Sequence, residues 1–201
     1  MAGLVLSGTG LLAQSVPGQI QVRGLIGSAT YSTAGSTPVP LQTGASVPVG
    51  AVVKTDTGAA VDLSFSNNAG VVRLLQNSTL SLDKSMVTTG NPGTVEVQLY
   101  LMDGTMVGFD KKLPGASRYQ IKVANGIADI SGSKYRISAQ GYVVLLDGNG
   151  VFVFVPPGGD PVPFELRATS PVYFSPVEGV KSAPAELVRE VNLQTKGKLH
   201  K

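Results

Sequence analysis

Between residues 51 and 155 short apolar-rich runs, many alternating apolar with polar positions, recur about every ten residues. Strand signals recur at 51–55, 60–65, 71–75, 79–82, 95–101, 106–109, 119–123, 127–130, 135–138, 142–146 and 151–155, and those that alternate strictly, such as 119–123, mark a strand with one buried face. Between them lie Asn67-Asn68-Ala69-Gly70, Thr89-Gly90-Asn91-Pro92-Gly93, Asp103-Gly104, Asn125-Gly126 and Asp147-Gly148-Asn149-Gly150. Such turn sequences are expected to supply the φ > 0 positions of tight hairpins. No long segment of helical period intervenes. The pattern predicts an all-β chain of many short antiparallel strands in a sandwich, barrel or solenoid.

The flanks read differently. Residues 16–53 hold one charge, Arg23, with an alternating run at Gln19-Ile20-Gln21-Val22-Arg23. The Ser/Thr/Gly/Pro run at 28–40 reads as a long hairpin loop or an edge strand, with an exposed turn the favoured reading, because proline cannot donate to a ladder. Residues 156–180 contain Pro156, Pro157, Pro161, Pro163, Pro171 and Pro176 around Phe164, Leu166, Val172, Tyr173 and Phe174, and predict an extended strap with one edge strand at 164–168. In 181–201, Pro184 precedes Leu187, Val188 and Val191 on one side of a short amphipathic helix, followed by a Lys-rich tail. The expected organisation is an apolar segment 1–15, a β-domain 16–155, a strap 156–180, and a helix with basic tail 181–201.

Composition narrows the chemistry. The 201 residues include no Cys, no Trp and one His, His200, which removes thiol nucleophiles, iron-sulfur and zinc-ribbon sites, disulfide frameworks and ordinary imidazole acid/base catalysis. Neither a catalytic residue, a cofactor nor a metal is expected. The net charge of +3 is confined to one end: residues 1–180 carry eleven Lys/Arg against eleven Asp/Glu, and 181–201 carry five against two. A neutral body with a modest basic tail is a poor electrostatic footprint for nucleic acid.

Residues 2–13, Ala-Gly-Leu-Val-Leu-Ser-Gly-Thr-Gly-Leu-Leu-Ala, are uncharged and apolar. They are too short and too interrupted by glycine for a transmembrane helix. Two readings stand: an export signal lacking its basic start, or a retained strand. The low-charge Gly/Ser/Thr/Val composition also suits a periplasmic, cell-surface or extracellular β-protein.

Several motifs follow one another in a recognisable order. They are Gly50-Ala51-Val52-Val53-Lys54-Thr55, Val61-Asp62-Leu63, Val72-Arg73-Leu74 with Asn77-Ser78-Thr79-Leu80, Leu101-Met102-Asp103-Gly104, Tyr119-Gln120-Ile121-Lys122-Val123 and Ile130-Ser131-Gly132-Ser133-Lys134-Tyr135. Together, over about residues 50–155, they resemble the FecR-domain family of exported bacterial β-domains. Two positions depart from the family pattern: Gly-Thr-x-Phe is Gly132-Ser133-Lys134-Tyr135, and the loop at 66–70 lacks the common Asp-Gly. The resemblance implies a sandwich- or solenoid-type β-module used for contact with other proteins. Regulatory family members add a sigma-factor-binding helix, a membrane span and a secretin-like domain. No run of roughly twenty apolar residues is present here, so sigma-factor regulation is not expected of this chain.

Alternative chemistries weigh little against simpler readings. Asp103-Gly104 and Asp147-Gly148-Asn149-Gly150 lack the ligand count of a calcium loop and read as turns. Asp110, Asp129 and Glu96 could act as an acid/base pair only if the fold brought them together; the expectation is strand charges facing solvent. Lys111-Lys112 reads as a soluble turn, and Met86, Met102, Met106 and Phe109 as core filler.

The remaining feature is uncharged β-sequence that pairs readily between chains. Leu4, Val5, Leu6, Leu11 and Leu12 in the N-terminal segment, and Val151, Phe152, Val153, Phe154 and Val155, are the candidate self-association residues. For 151–155 a buried central strand is the simpler reading. The functional expectation is a non-enzymatic exported structural or protein-interaction subunit, self-assembling into an oligomer or filament by strand addition. The alternative is a monomeric sensor or binding module for a protein or cell-wall glycan partner.

Overall fold

Alternation along the chain resolves into two sheets stacked face to face. The structure, a computed structural model, describes residues 14–66, 69–91, 93–167 and 171–195. Leu4, Val5, Leu6, Leu11 and Leu12 lie outside the described residues. In chain order the strands are β1 (Ser15–Pro17), β2 (Ile20–Ile26), β3 (Ala29–Ser32), β4 (Val39–Pro40), β5 (Ser46–Val47), β6 (Val52–Thr55), β7 (Ala60–Phe65), β8 (Gly70–Leu74), β9 (Thr79–Thr88) and β10 (Thr94–Asp103). They continue with β11 (Thr105–Asp110), β12 (Arg118–Val123), β13 (Gly126–Ser131), β14 (Lys134–Ser138), β15 (Val143–Leu145), β16 (Asn149–Phe154), β17 (Val162–Arg167), β18 (Val172–Ser175) and β19 (Gly179–Ser182), and end with helix α1 (Ala185–Thr195).

The first sheet runs β17-β16-β13-β12-β10-β9-β6-β3-β4, with β1 on the far part of β9; the second runs β19-β18-β15-β14-β11-β8-β7-β2-β5. The chain passes repeatedly between the two sheets. β10 crosses through β11 in the second sheet before returning as β12, which makes β10 and β12 a parallel pair, Val97 beside Tyr119. Neither sheet closes into a barrel. The core lies between them, with Val97, Leu99, Ile121, Ala128 and Phe152 from one side and Leu63, Val72, Met106, Tyr135 and Ile137 from the other, all at most 1% exposed.

The strands at 51–155 fall where period-two alternation predicts them. The flanks are more ordered than expected. Residues 156–180 form three strands in place of a strap: β17 extends the first sheet, and β18 and β19 extend the second. Phe152, Phe154, Phe164 and Phe174 meet between them, with Phe164 and Phe174 centroids 4.9 Å apart. Prolines conceal this segment because they cluster between its strands, and the one inside β17, Pro163, sits in the outermost strand of its sheet, where a missing donor is tolerated. At the other end, residues 29–40 form a β3–β4 hairpin whose outer strand is two residues long and ends at Pro40.

Three local expectations are corrected. Of the four methionine and phenylalanine positions read as filler, Met106 is in the core, whereas Met102 is 49% exposed and Met86 and Phe109 are half-buried. The strict alternation of β10 and β11 places 102 and 109 on outward faces. Gly126 and Gly70 do not take φ > 0. Gly126 instead leaves room for Phe152, whose Cζ would lie 2.6 Å from a Cβ there. Asp110, expected in solvent, is completely buried.

Candidate interaction surface

The two outer faces of the sandwich differ in what covers them. On the second sheet, register aligns Asp62, Arg73, Val107, Arg136, Val144 and Tyr173 in one row across β7, β8, β11, β14, β15 and β18. Helix α1 lies over this row. Val191 and Thr195 are its buried residues, and they meet a face on which Val107 and Val144 are at most 2% exposed. Arg73 forks onto Asp62, Nε to Oδ1 at 2.6 Å and Nη2 to Oδ2 at 2.8 Å. Its Nη1 donates to the carbonyl of Gln194 at 2.7 Å, satisfying one of the carbonyls left open at a helix C-terminus. Arg136 adds an ion pair to Glu190 at 3.6 Å. The hydrogen bond to Asp62 holds the Arg73 guanidinium above its ordinary value.

The outer face of the first sheet carries no such cover among the described residues. Register builds two rows there. One runs Glu165, Val151, Asp129, Gln120, Gln98, Lys84. It is laced by Gln120 Nε2 donating to Asp129 Oδ2 at 3.1 Å, Gln98 Nε2 to Gln120 Oε1 at 3.4 Å, and a Lys84–Glu96 ion pair at 2.7 Å. The next runs Pro163, Val153, Ile127, Lys122, Tyr100, Ser81. In it Ile127 is 43% exposed, and the Lys122 ammonium sits 4.8 Å above the Tyr100 ring. Two shallow depressions open on this face. One of about 470 Å³ is lined by Asp129, Ser131, Asn149, Val151, Glu165 and Arg167, and one of about 390 Å³ lies around Lys84, Met86, Glu96 and Arg118.

The candidate self-association residues divide between the two sides of this layer. β16 is hydrogen-bonded to β13 on one side and β17 on the other, so its backbone offers no free ladder. Phe152 points into the core and Phe154 into its margin, whereas Val151 and Val155 are about two-fifths exposed, at 37% and 42%, and Val153 is half-buried. Asp129 and Glu96 lie on the same outer face, and Asp110 points inward from the other sheet. The fold therefore does not bring the three carboxylates together. Among the described residues no three His, Cys, Asp or Glu side chains converge as metal ligands, and no helix is long and apolar enough to cross a membrane.

Residues 51–149 match the family model described as FecR protein. Over this span the chain is similar to the FecR family. The match takes in just under half of the 201 residues, and in the fold these form the middle of both sheets, from β6 to β13 in the first and from β7 to β15 in the second. Outside the match, β3, β4, β2 and β5 extend one end of the sandwich and β16 to β19 the other, while β1 pairs with β9 and α1 lies over the second sheet. Comparison with curated proteins finds no match, and comparison with solved structures finds none either.

Sequence reasoning missed which face is open. Every strand of a sandwich shows the same alternation, and only the placement of α1 distinguishes the outer faces. The sole signal was the weak amphipathicity of 185–195, which pointed to a packed helix without saying against what.

Proposed function

We propose that this protein is an exported, non-enzymatic binding module that contacts a partner protein through the outer face of its first sheet. The observation that carries this reading is the asymmetry of cover: α1 is fastened over one outer face, and the other presents rows of partly exposed apolar and charged side chains with two depressions. Ile127, Val151, Val153 and Pro163 form an apolar centre, and Lys122, Asp129, Glu165 and Arg167 form a rim of both signs. That mixture matches the apolar centre and polar edge of protein contacts. A sugar platform needs an open aromatic face, and the Tyr100 ring on the outer side of this sheet lies under Lys122.

A glycan contact is favoured by one separate observation. Tyr142 and Tyr173, on the outer face of the second sheet, lie with ring planes within 10° and centroids 6.1 Å apart, and Tyr142 is 39% exposed. Cell-wall fragments that perturb these two tyrosines, with loss on Tyr142→Ala, would support the glycan reading. Self-assembly by strand donation would rest on residues 2–13, since β16 is already paired on both sides.

The deciding experiment places photo-crosslinking side chains at Ile127, Val151 and Lys122 of the full chain, and at Leu193 and Val177 on other surfaces, in cells that make the protein. The proposal expects one defined adduct from the first three positions, none from the last two, and its loss on Ile127→Glu in a protein of unchanged melting temperature. Adducts independent of position would reject it. Adducts of the chain with itself, together with a concentration-dependent mass, would replace it with self-association.

A further inference from the structure

The turn joining β13 to β14 is held by a carboxylate without a cation. Asp110, at the end of β11, is completely buried. Its Oδ2 accepts the Gly132 amide at 3.0 Å, and its Oδ1 accepts the Ser133 amide at 2.9 Å. The next amide, Lys134, donates to Asp147 Oδ1 at 2.5 Å. Three successive amides thus converge on two carboxylates, a concave arrangement that favours negative charge.

The groups facing Asp110 leave that charge unneutralised. Tyr119 of β12 and Tyr135 of β14 are buried beside it, and burial pushes both phenols well above their ordinary value. Asp147, from the turn before β16, adds a like charge. Lys112 packs its stem behind Gly132, 3.3 Å from where a Cβ would stand, but Lys111 and Lys112 are both exposed and neither pairs with Asp110. Phe65 of β7 and Gly70 of β8 contribute no charge. Burial dominates over the backbone hydrogen bonds from Ser133, Gly132 and its own amide and pushes Asp110 up to about 6.

The same turn forms a wall of the larger depression. Ser133 Oγ donates to the carbonyl of Ser131 at 3.0 Å and reaches that of Asn149 at 3.4 Å, and Ser131 and Asn149 both line the groove. Slack is absent, since a Cβ on Gly148 would stand within 2.4 Å of the Gly132 carbonyl oxygen.

We propose that Asp110 is a proton-operated latch for the groove on the first sheet. Ionised, it clamps the amides of Gly132 and Ser133 and fixes the wall made by Ser131 and Asn149. Protonated, one of its oxygens becomes a donor facing an amide, so one clamp is lost and the wall moves.

The test is a titration of the full chain by NMR from about pH 7.5 to about pH 4.5, which crosses the shifted value and stops above the ordinary one of an aspartate. The Asp110 carboxyl carbon and the amides of Gly132, Ser133, Asn149 and Gly150 are expected to share one midpoint near 6. Asp110→Asn should remove it, and Asp129→Asn, which neutralises one of the groove's own two carboxylates, should leave it in place. The proposal is overturned if Asp110 stays ionised to the end of the titration, if it titrates without the groove amides, or if the shared midpoint survives Asp110→Asn. Should that variant not fold, the wild-type carboxyl signal and the groove amides, read together, decide the matter.

Discussion

Arg73 and Gln194, separated by 121 positions in sequence, join the sheet to the end of the helix through one hydrogen bond of 2.7 Å from guanidinium to backbone carbonyl. The bond depends on Asp62, which holds the guanidinium by its other two nitrogens. A helix of eleven residues with only Val191 and Thr195 buried has little apolar area to hold it in place. The polar triad therefore decides whether α1 stays docked.

Asp62→Ala is expected to be more damaging than loss of one surface ion pair. It leaves the Arg73 side chain, 11% exposed, charged and unpaired beneath α1, a situation that costs about 3–5 kcal/mol. Replacing both residues by Leu and Met should recover a large part of that loss. Chemical denaturation of the two single variants and the double variant measures the coupling, and hydrogen exchange along 185–195 shows whether the helix is released first. Equal destabilisation by single and double variants would remove the pair from this role.

The stability of the protein should carry the imprint of Asp110. Its folded-state value of about 6 lies above the ~4 of a carboxyl in an unfolded chain. Between the two values the folded chain holds more protons. Stability contributed by this group is therefore present in acid and is lost as pH rises through that window, by about 3 kcal/mol in all. Urea midpoints measured from about pH 4 to about pH 7.5 on wild type and Asp110→Asn should diverge in slope within this window and run parallel above it.

Gly108 is a position where a single methyl group should be felt. It pairs with Tyr135 across β11 and β14, and a Cβ there would stand 2.3 Å from both Cζ and the hydroxyl oxygen of that buried ring. The ring has nowhere to move, because its hydroxyl donates to that of Tyr119 at 3.2 Å and Tyr119 packs edge-on to Phe65. Gly108→Ala should cost about 1–3 kcal/mol through overpacking. Shortening the ring in Gly108→Ala/Tyr135→Val should cost less than the sum of the two single changes, and thermal denaturation checks this.

How much of this was legible follows from what period two encodes. Alternation at 60–65 and 119–123 marks one face as buried, and those strands appear at Ala60–Phe65 and Arg118–Val123. It says nothing about which of two sheets a strand joins, so the β10–β11–β12 crossing and the parallel pairing of Val97 with Tyr119 are invisible to it. Asp110 was legible in principle: it continues Met106 and Gly108 on the inward side of β11. A charged residue at an inward position reads as the end of a strand, and only the amides of Gly132 and Ser133, brought from 22 and 23 positions away, make its burial tolerable. The resemblance to the FecR family was legible because its motifs lie at turns and inward positions, which are local. The open face was not, because it is defined by what a distant helix fails to cover.

The contrast between the two outer faces yields a paired prediction. Ile127 and Val107 are both outward-facing apolar residues on inner strands, but Ile127 is 43% exposed and Val107 is fully buried beneath α1. Glutamate at 127 keeps its charge in water and should change stability by no more than about 0.5 kcal/mol. Glutamate at 107 places a carboxylate under the helix beside Arg73 and Arg136. It must either pair with those guanidiniums, at the expense of the Asp62 and Glu190 contacts, or expel α1 to reach solvent. Both routes loosen the helix, so Val107→Glu should raise hydrogen exchange in 185–195 and lower the melting temperature, with the exchange of 119–130 on the first sheet little changed. A Val107→Glu protein whose helix remains as protected as in wild type would mean that α1 is not held by this face, and the asymmetry that singles out the first sheet as the contact surface would lose its basis.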